Sequence, residues 1–83
     1  MDSVEIALLI ISSIEEAIAD GYDRFYMNVD YLENGKGSLR VLVMKGPEYL
    51  IVYDEVSDLD ICFQVLELLE SSKYPIKNFT VVM

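Results

Sequence analysis

Three stretches decide the fold: residues 22–33, YDRFYMNVDYLE; residues 38–45, SLRVLVMK; and residues 48–54, EYLIVYD. In the first, Phe25, Met27, Val29 and Tyr31 alternate with Arg24, Tyr26, Asn28 and Asp30. A two-residue period of this kind belongs to a strand with one buried face. The second stretch alternates Leu39, Val41 and Val43 with Arg40, Leu42 and Met44. Asn34-Gly35-Lys36-Gly37 and Gly46-Pro47 separate the stretches and carry the residues of tight turns. Three strands joined by two short turns make an antiparallel meander.

Register follows from keeping like side chains on one face, because a slip of one residue moves every side chain to the other face. A two-residue turn at Asn34-Gly35 pairs Val29 with Arg40 and mixes both faces. An odd-length loop pairs Val29 with Val41, Met27 with Val43 and Tyr31 with Leu39, and sets Asp30 opposite Arg40. Gly37 then suits a bulge. A turn at Gly46-Pro47 with Lys45 opposite Glu48 pairs Val43 with Leu50 and Val41 with Val52. The expected core face is Phe25, Met27, Val29, Tyr31, Leu39, Val41, Val43, Leu50 and Val52.

Helices flank the meander. From Ser3 to about Asp20, Val4, Ala7, Ile11, Ile14 and Ile18 form an apolar stripe with Leu8, Ile10 and Ala17 at its shoulders. Glu5, Ser12, Glu16 and Asp20 lie opposite with Leu9 among them, and Gly21 suits a helix stop. Ser57, followed three residues later by Asp60, reads as the cap of a second helix from Asp58 to about Ser72. Ile61, Cys62, Val65, Leu66, Leu68 and Leu69 form its buried face. Phe79 to Val82 is a last strand. The order is α-β-β-β-α-β, an α+β two-layer sandwich of one domain, 1–83, with both helices on one sheet face.

Through its second helix this order is that of the double-stranded-RNA-binding domain. That family presents basic residues on its second helix, where this chain carries Asp60, Glu67 and Glu70. The likeness stops at element order, and the sequence is identified with no family.

Composition narrows the function. Fifteen acids, six bases and no histidine give a net charge of −9. Direct nucleic-acid binding draws most of its affinity from Lys and Arg contacts to phosphate, so it is disfavoured. Anionic membrane surfaces are disfavoured equally. The longest apolar run, Ile6–Ile11, falls far short of the ~20 residues that span a bilayer. Together with a start lacking a basic leader region, this predicts a soluble, cytoplasmic protein.

No constellation of catalytic residues stands out. Cys62 is the lone cysteine, without a histidine to activate it, and falls on an apolar helix face. Asp54, Glu55, Asp58 and Asp60 crowd a strand-to-helix junction, where the helix dipole favours acids without a metal. No enzyme, cofactor or metal is expected.

Two surfaces remain. The helix acids Glu5, Glu16, Asp20, Asp60, Glu67 and Glu70 suit a basic protein partner, whose nucleic-acid groove they would fill as small phage-encoded inhibitors do. Tyr26, Leu42, Met44, Tyr49, Ile51 and Tyr53 share the sheet face away from the helices, which is too apolar for water and suits a homodimer. The leading expectation is a non-enzymatic acidic interaction module. A homo-oligomeric structural or regulatory subunit is the alternative, and a small-ligand or divalent-cation domain the third.

Overall fold

A computed structural model describes residues 2–72 and the backbone of 80–82. Helix α1 (Ser3–Ala19) leads into strand β1 (Arg24–Tyr31), a 3-10 turn (Glu33–Gly35), strands β2 (Lys36–Lys45) and β3 (Glu48–Asp58), helix α2 (Leu59–Glu70) and strand β4 (Thr80–Val82). The sheet order is β3-β2-β1-β4, with β1, β2 and β3 antiparallel and β4 parallel to β1. The architecture is α+β, as the alternation predicts. Phe79 and the rest of 73–79 lie outside the described residues.

Alternation sets the core. Phe25, Met27, Val29, Leu39, Val41 and Val43 are buried on one sheet face and join Ile6, Ala7, Ile10, Ile14 and Ala17 of α1 with Cys62, Val65 and Leu69 of α2. Both helices therefore cover the same face. Fully burying one such aliphatic side chain contributes about 1.5–3 kcal/mol, so these strands and helices hold one another in place.

Both helix ends of α1 follow local chemistry. The Asp2 carboxylate accepts from the Glu5 amide at 2.9 Å, satisfying one of the free N–H groups of the first turn. Gly21 takes φ 95°, and the Tyr22 and Gly21 amides donate to the Ala17 and Ile18 carbonyls, each at 3.0 Å. That left-handed glycine closes the helix.

Several expectations are corrected. The β1–β2 pairing is shifted by two residues, giving Val29 opposite Leu39, Met27 opposite Val41 and Tyr31 opposite Gly37. Leu32 donates back to the Lys36 carbonyl at 2.9 Å around a five-residue loop, in which Asn34 and Gly35 both take positive φ. A shift of two keeps every side chain on its face but sets Arg40 opposite Asn28 instead of Asp30. Gly37 is no bulge residue; it is buried in regular pairing.

The bulge falls in β3 instead. Leu42 faces Ile51 while Val41 faces Tyr53, so Val52 is the extra residue. Beyond it the faces exchange, and Tyr53 packs against the core side. β3 also runs on to Asp58, so Ser57 pairs with Gly37 and does not cap α2. Asp58 occupies the cap position without a capping hydrogen bond, and its carboxylate takes Lys36 at 2.6 Å.

On α1 the buried stripe centres on Ala7, Ile10, Ile14 and Ala17, leaving Val4, Leu8 and Ile18 exposed. Leu68 of α2 is likewise exposed. Tyr31 and Leu50 sit at the margin of the core face, exposed rather than buried, and Tyr31 meets the Phe63 ring edge-on at 6.0 Å.

Candidate interaction surfaces

The sheet face away from the helices is uncovered among the described residues. Pairing places Tyr26, Leu42, Met44, Tyr49 and Ile51 there side by side. Tyr49 is 65% exposed and Ile51 43%, whereas Tyr26, Leu42 and Met44 are half-buried. Five of the six residues expected on this face are thus together, and the β3 bulge takes Tyr53 to the other side. The same bulge brings out Val56, 59% exposed and opposite Ser38. A strand that ends at Asp54 leaves Val56 out; its β-branched side chain, continuing the run after Tyr53, is the signal in the sequence for the longer strand. Tyr74 lies outside the described residues.

Charge is distributed unevenly. Each of the four described bases contacts its own chain. The Arg24 guanidinium donates to the Gly46 carbonyl and lies 3.8 Å from Asp23. Lys36 pairs with Asp58 at 2.6 Å, and Arg40 with Asp54 at 3.4 Å. Lys45 donates to the Asp20 carbonyl at 3.1 Å and stands 5.0 Å from the centre of the Tyr22 ring. Exposed pairs of this kind contribute only ~0–1 kcal/mol to stability. Their larger consequence is local, since they draw the cations back to the chain in a protein with fifteen acids.

The six helix acids are all exposed, but they do not form one patch. Glu16 and Asp20 border a groove between α1 and β3 with Ser13, Leu50 and Val52. Glu67 and Glu70 border another, with Ser3, Val4 and Leu68, where the start of α1 meets the end of α2. Glu5 and Asp60 stand in the first turns of their helices. The α1–β3 groove continues past Ile6, Leu9, Tyr53, Glu55 and Val56. Leu9, placed among the polar residues of α1 by its spacing, lines this groove.

Cys62 is buried, and its thiol donates to the Gly37 carbonyl at 3.8 Å. Burial first, then the nearby Asp58 carboxylate, push its pKa above the ordinary thiol range, against an opposing backbone hydrogen bond. Burial, followed by Glu55 and Cys62, likewise raises that of Tyr53. Of the junction acids, Asp54 and Asp58 are engaged by Arg40 and Lys36. Among the described residues no three acids or cysteines converge to hold a metal ion, and no helix is long and apolar enough to cross a membrane.

The class these features define is a small α+β sandwich with an apolar sheet face left open by the described residues and a strongly acidic helix layer. No protein-family model, curated protein or solved structure matches the chain.

Proposed function

We propose that the protein is a non-catalytic interaction module that binds a basic protein, setting carboxylates where that partner would otherwise hold nucleic acid. The observation that carries this reading is the disposition of charge. The four described bases are drawn onto the chain's own acids, carbonyls and ring, while Glu5, Glu16, Asp20, Asp60, Glu67 and Glu70 project into solvent. Such a field attracts cationic surfaces and repels nucleic acid, and complementary charge speeds encounter and selects partners. A viral inhibitor of a host enzyme and a cytoplasmic regulator would both use this surface. The test is competition: purified basic nucleic-acid-processing proteins are titrated with the chain in the presence of duplex DNA. DNA and the chain should displace each other from the partner. A partner that holds both at once overturns the mimicry.

A second reading is favoured by a different observation, the uncovered face of Tyr26, Leu42, Met44, Tyr49, Ile51 and Val56. Two copies meeting through it would form a two-fold dimer, the commonest closed assembly for one self-complementary patch. Burying ~500 Å² of apolar surface per protomer yields roughly 12 kcal/mol gross at ~25 cal/mol per Å². Association costs of ~4–15 kcal/mol set against it make concentration decisive. Such a dimer leaves both helix layers outward, so the two readings are compatible.

A further inference from the structure

β3 is the edge strand of the sheet and, with eleven residues, its longest. Its inner edge is paired with β2 along its length, apart from the bulge. Among the described residues no backbone group hydrogen-bonds to its outer edge. An edge of this length is a row of donors and acceptors ready for another strand. Its helix-facing side is already shaped, because the groove under α1 runs beside it from Leu50 to Ser57.

The chemistry of that groove selects the occupant. Glu16 and Asp20 from α1 line the part beside Leu50, which is 50% exposed, and Glu55 from β3 lines the part beside Leu9. Lys45, which reaches Asp20 at one end of the groove, is held by the Asp20 carbonyl and the Tyr22 ring. A second copy of β3 is a poor occupant. It carries Glu48, Asp54, Glu55 and Asp58, and would bring more acids to an edge already lined with them. A strand bearing lysine or arginine at alternate positions turns the same acids to advantage.

We propose that the outer edge of β3 docks an extended basic segment of a partner protein, added to the sheet as a further strand, with its cationic side chains toward Glu16, Asp20 and Glu55. Main-chain hydrogen bonds supply affinity, and the acidic groove reads alternate side chains. The proposal rests on the basic-partner reading above and adds to it the place and conformation of binding.

The probe is a capped peptide of about ten residues alternating lysine and valine, added to the full-length chain and followed by amide hydrogen exchange and fluorescence anisotropy. Outward-pointing β3 amides should slow on binding, and N-methylation of alternate peptide amides should weaken affinity by about tenfold or more. Glu16→Lys with Glu55→Lys should weaken it further, and the N-methylated peptide keeps the test valid should that variant fold poorly. Binding without β3 protection, or indifference to N-methylation, overturns the edge site but leaves the basic-partner reading intact. No binding of the peptide also overturns the edge site, while the DNA competition decides the broader reading separately. β3 amides already protected in the free protein, in a concentration-dependent way, would assign the edge to a second copy and overturn the proposal.

Discussion

Gly37→Ala tests how α2 is seated on the sheet. Gly37 lies in β2 beneath the first turn of α2, and a Cβ there would stand 2.9 Å from the Leu59 Cδ2 and 3.1 Å from the Cys62 Sγ. Carbon contacts settle near ~3.5–4.0 Å, so both neighbours must retreat. Leu59 is only half-buried and its methyl can swing aside; Cys62 is fully buried in the core. Overpacking of this kind costs about 1–3 kcal/mol. Removing a glycine from the unfolded chain returns about 0.4–1 kcal/mol, since the Gly37 backbone does not need positive φ. The steric effect outweighs it at the middle of both ranges, for a net loss of roughly 1.3 kcal/mol within bounds of about 0–2.6 kcal/mol. Cys62→Ala alone opens a small cavity for about 1–2 kcal/mol. Combined, the two should couple favourably by about 0.5–1 kcal/mol, since alanine at 62 takes away the sulfur that alanine at 37 strikes. Urea titration of the wild type, both single variants and the double variant measures the cycle. A stabilising Gly37→Ala, or strict additivity, would refute this seating of α2.

Further outcomes can be checked with the same material. The native Cys62 thiol should resist alkylation and react once the chain is unfolded; rapid native labelling would show it exposed. Because the folded state raises the Cys62 and Tyr53 pKa values, it holds those protons more tightly than the unfolded chain. Their contribution is therefore complete below about pH 8.5 and is lost as pH rises through the folded values. Cys62→Ala should flatten the first part of that alkaline decline in thermal melts. Sedimentation at about 100 μM should show a dimer that Leu42→Glu with Ile51→Lys dissociates, whereas a monomeric wild type would remove the sheet-face dimer.

What could be read in advance was whatever a two-residue period or a turn residue dictates. Phe25, Met27 and Val29 face the core because their two-residue period puts all three on the one apolar face of β1, and Gly46-Pro47 sets Lys45 opposite Glu48. The two-residue slip between β1 and β2 was not legible, since Val41 and Leu39 serve equally well opposite Val29. The β3 bulge was hidden for a related reason. Leu50-Ile51-Val52-Tyr53 is apolar throughout and contains no glycine, so either parity satisfies it and only packing against the helices decides. That choice removed Tyr53 from the open face and added Val56. α1 is ambiguous in the same way, because Val4 and Ile6–Ile11 are apolar nearly all round and the stripe could rotate. The helix acids were legible as solvent-exposed, but the placing of Glu16 and Asp20 at one groove and Glu67 and Glu70 at another depends on how α1 crosses β3 and meets α2.

The charge-driven association at the centre of this account is tested most directly by calorimetric titration of a basic nucleic-acid-processing partner across a series of salt concentrations. Exposed carboxylates are screened within a Debye length of ~10 Å at ~0.1 M salt, so affinity should fall at least tenfold between about 50 and 500 mM. Reversing Glu67 and Glu70 to lysine should weaken binding and flatten that dependence while leaving the melting temperature nearly unchanged. An affinity that stays constant across the salt series, or survives the reversal intact, would contradict the claim that these carboxylates bind the partner.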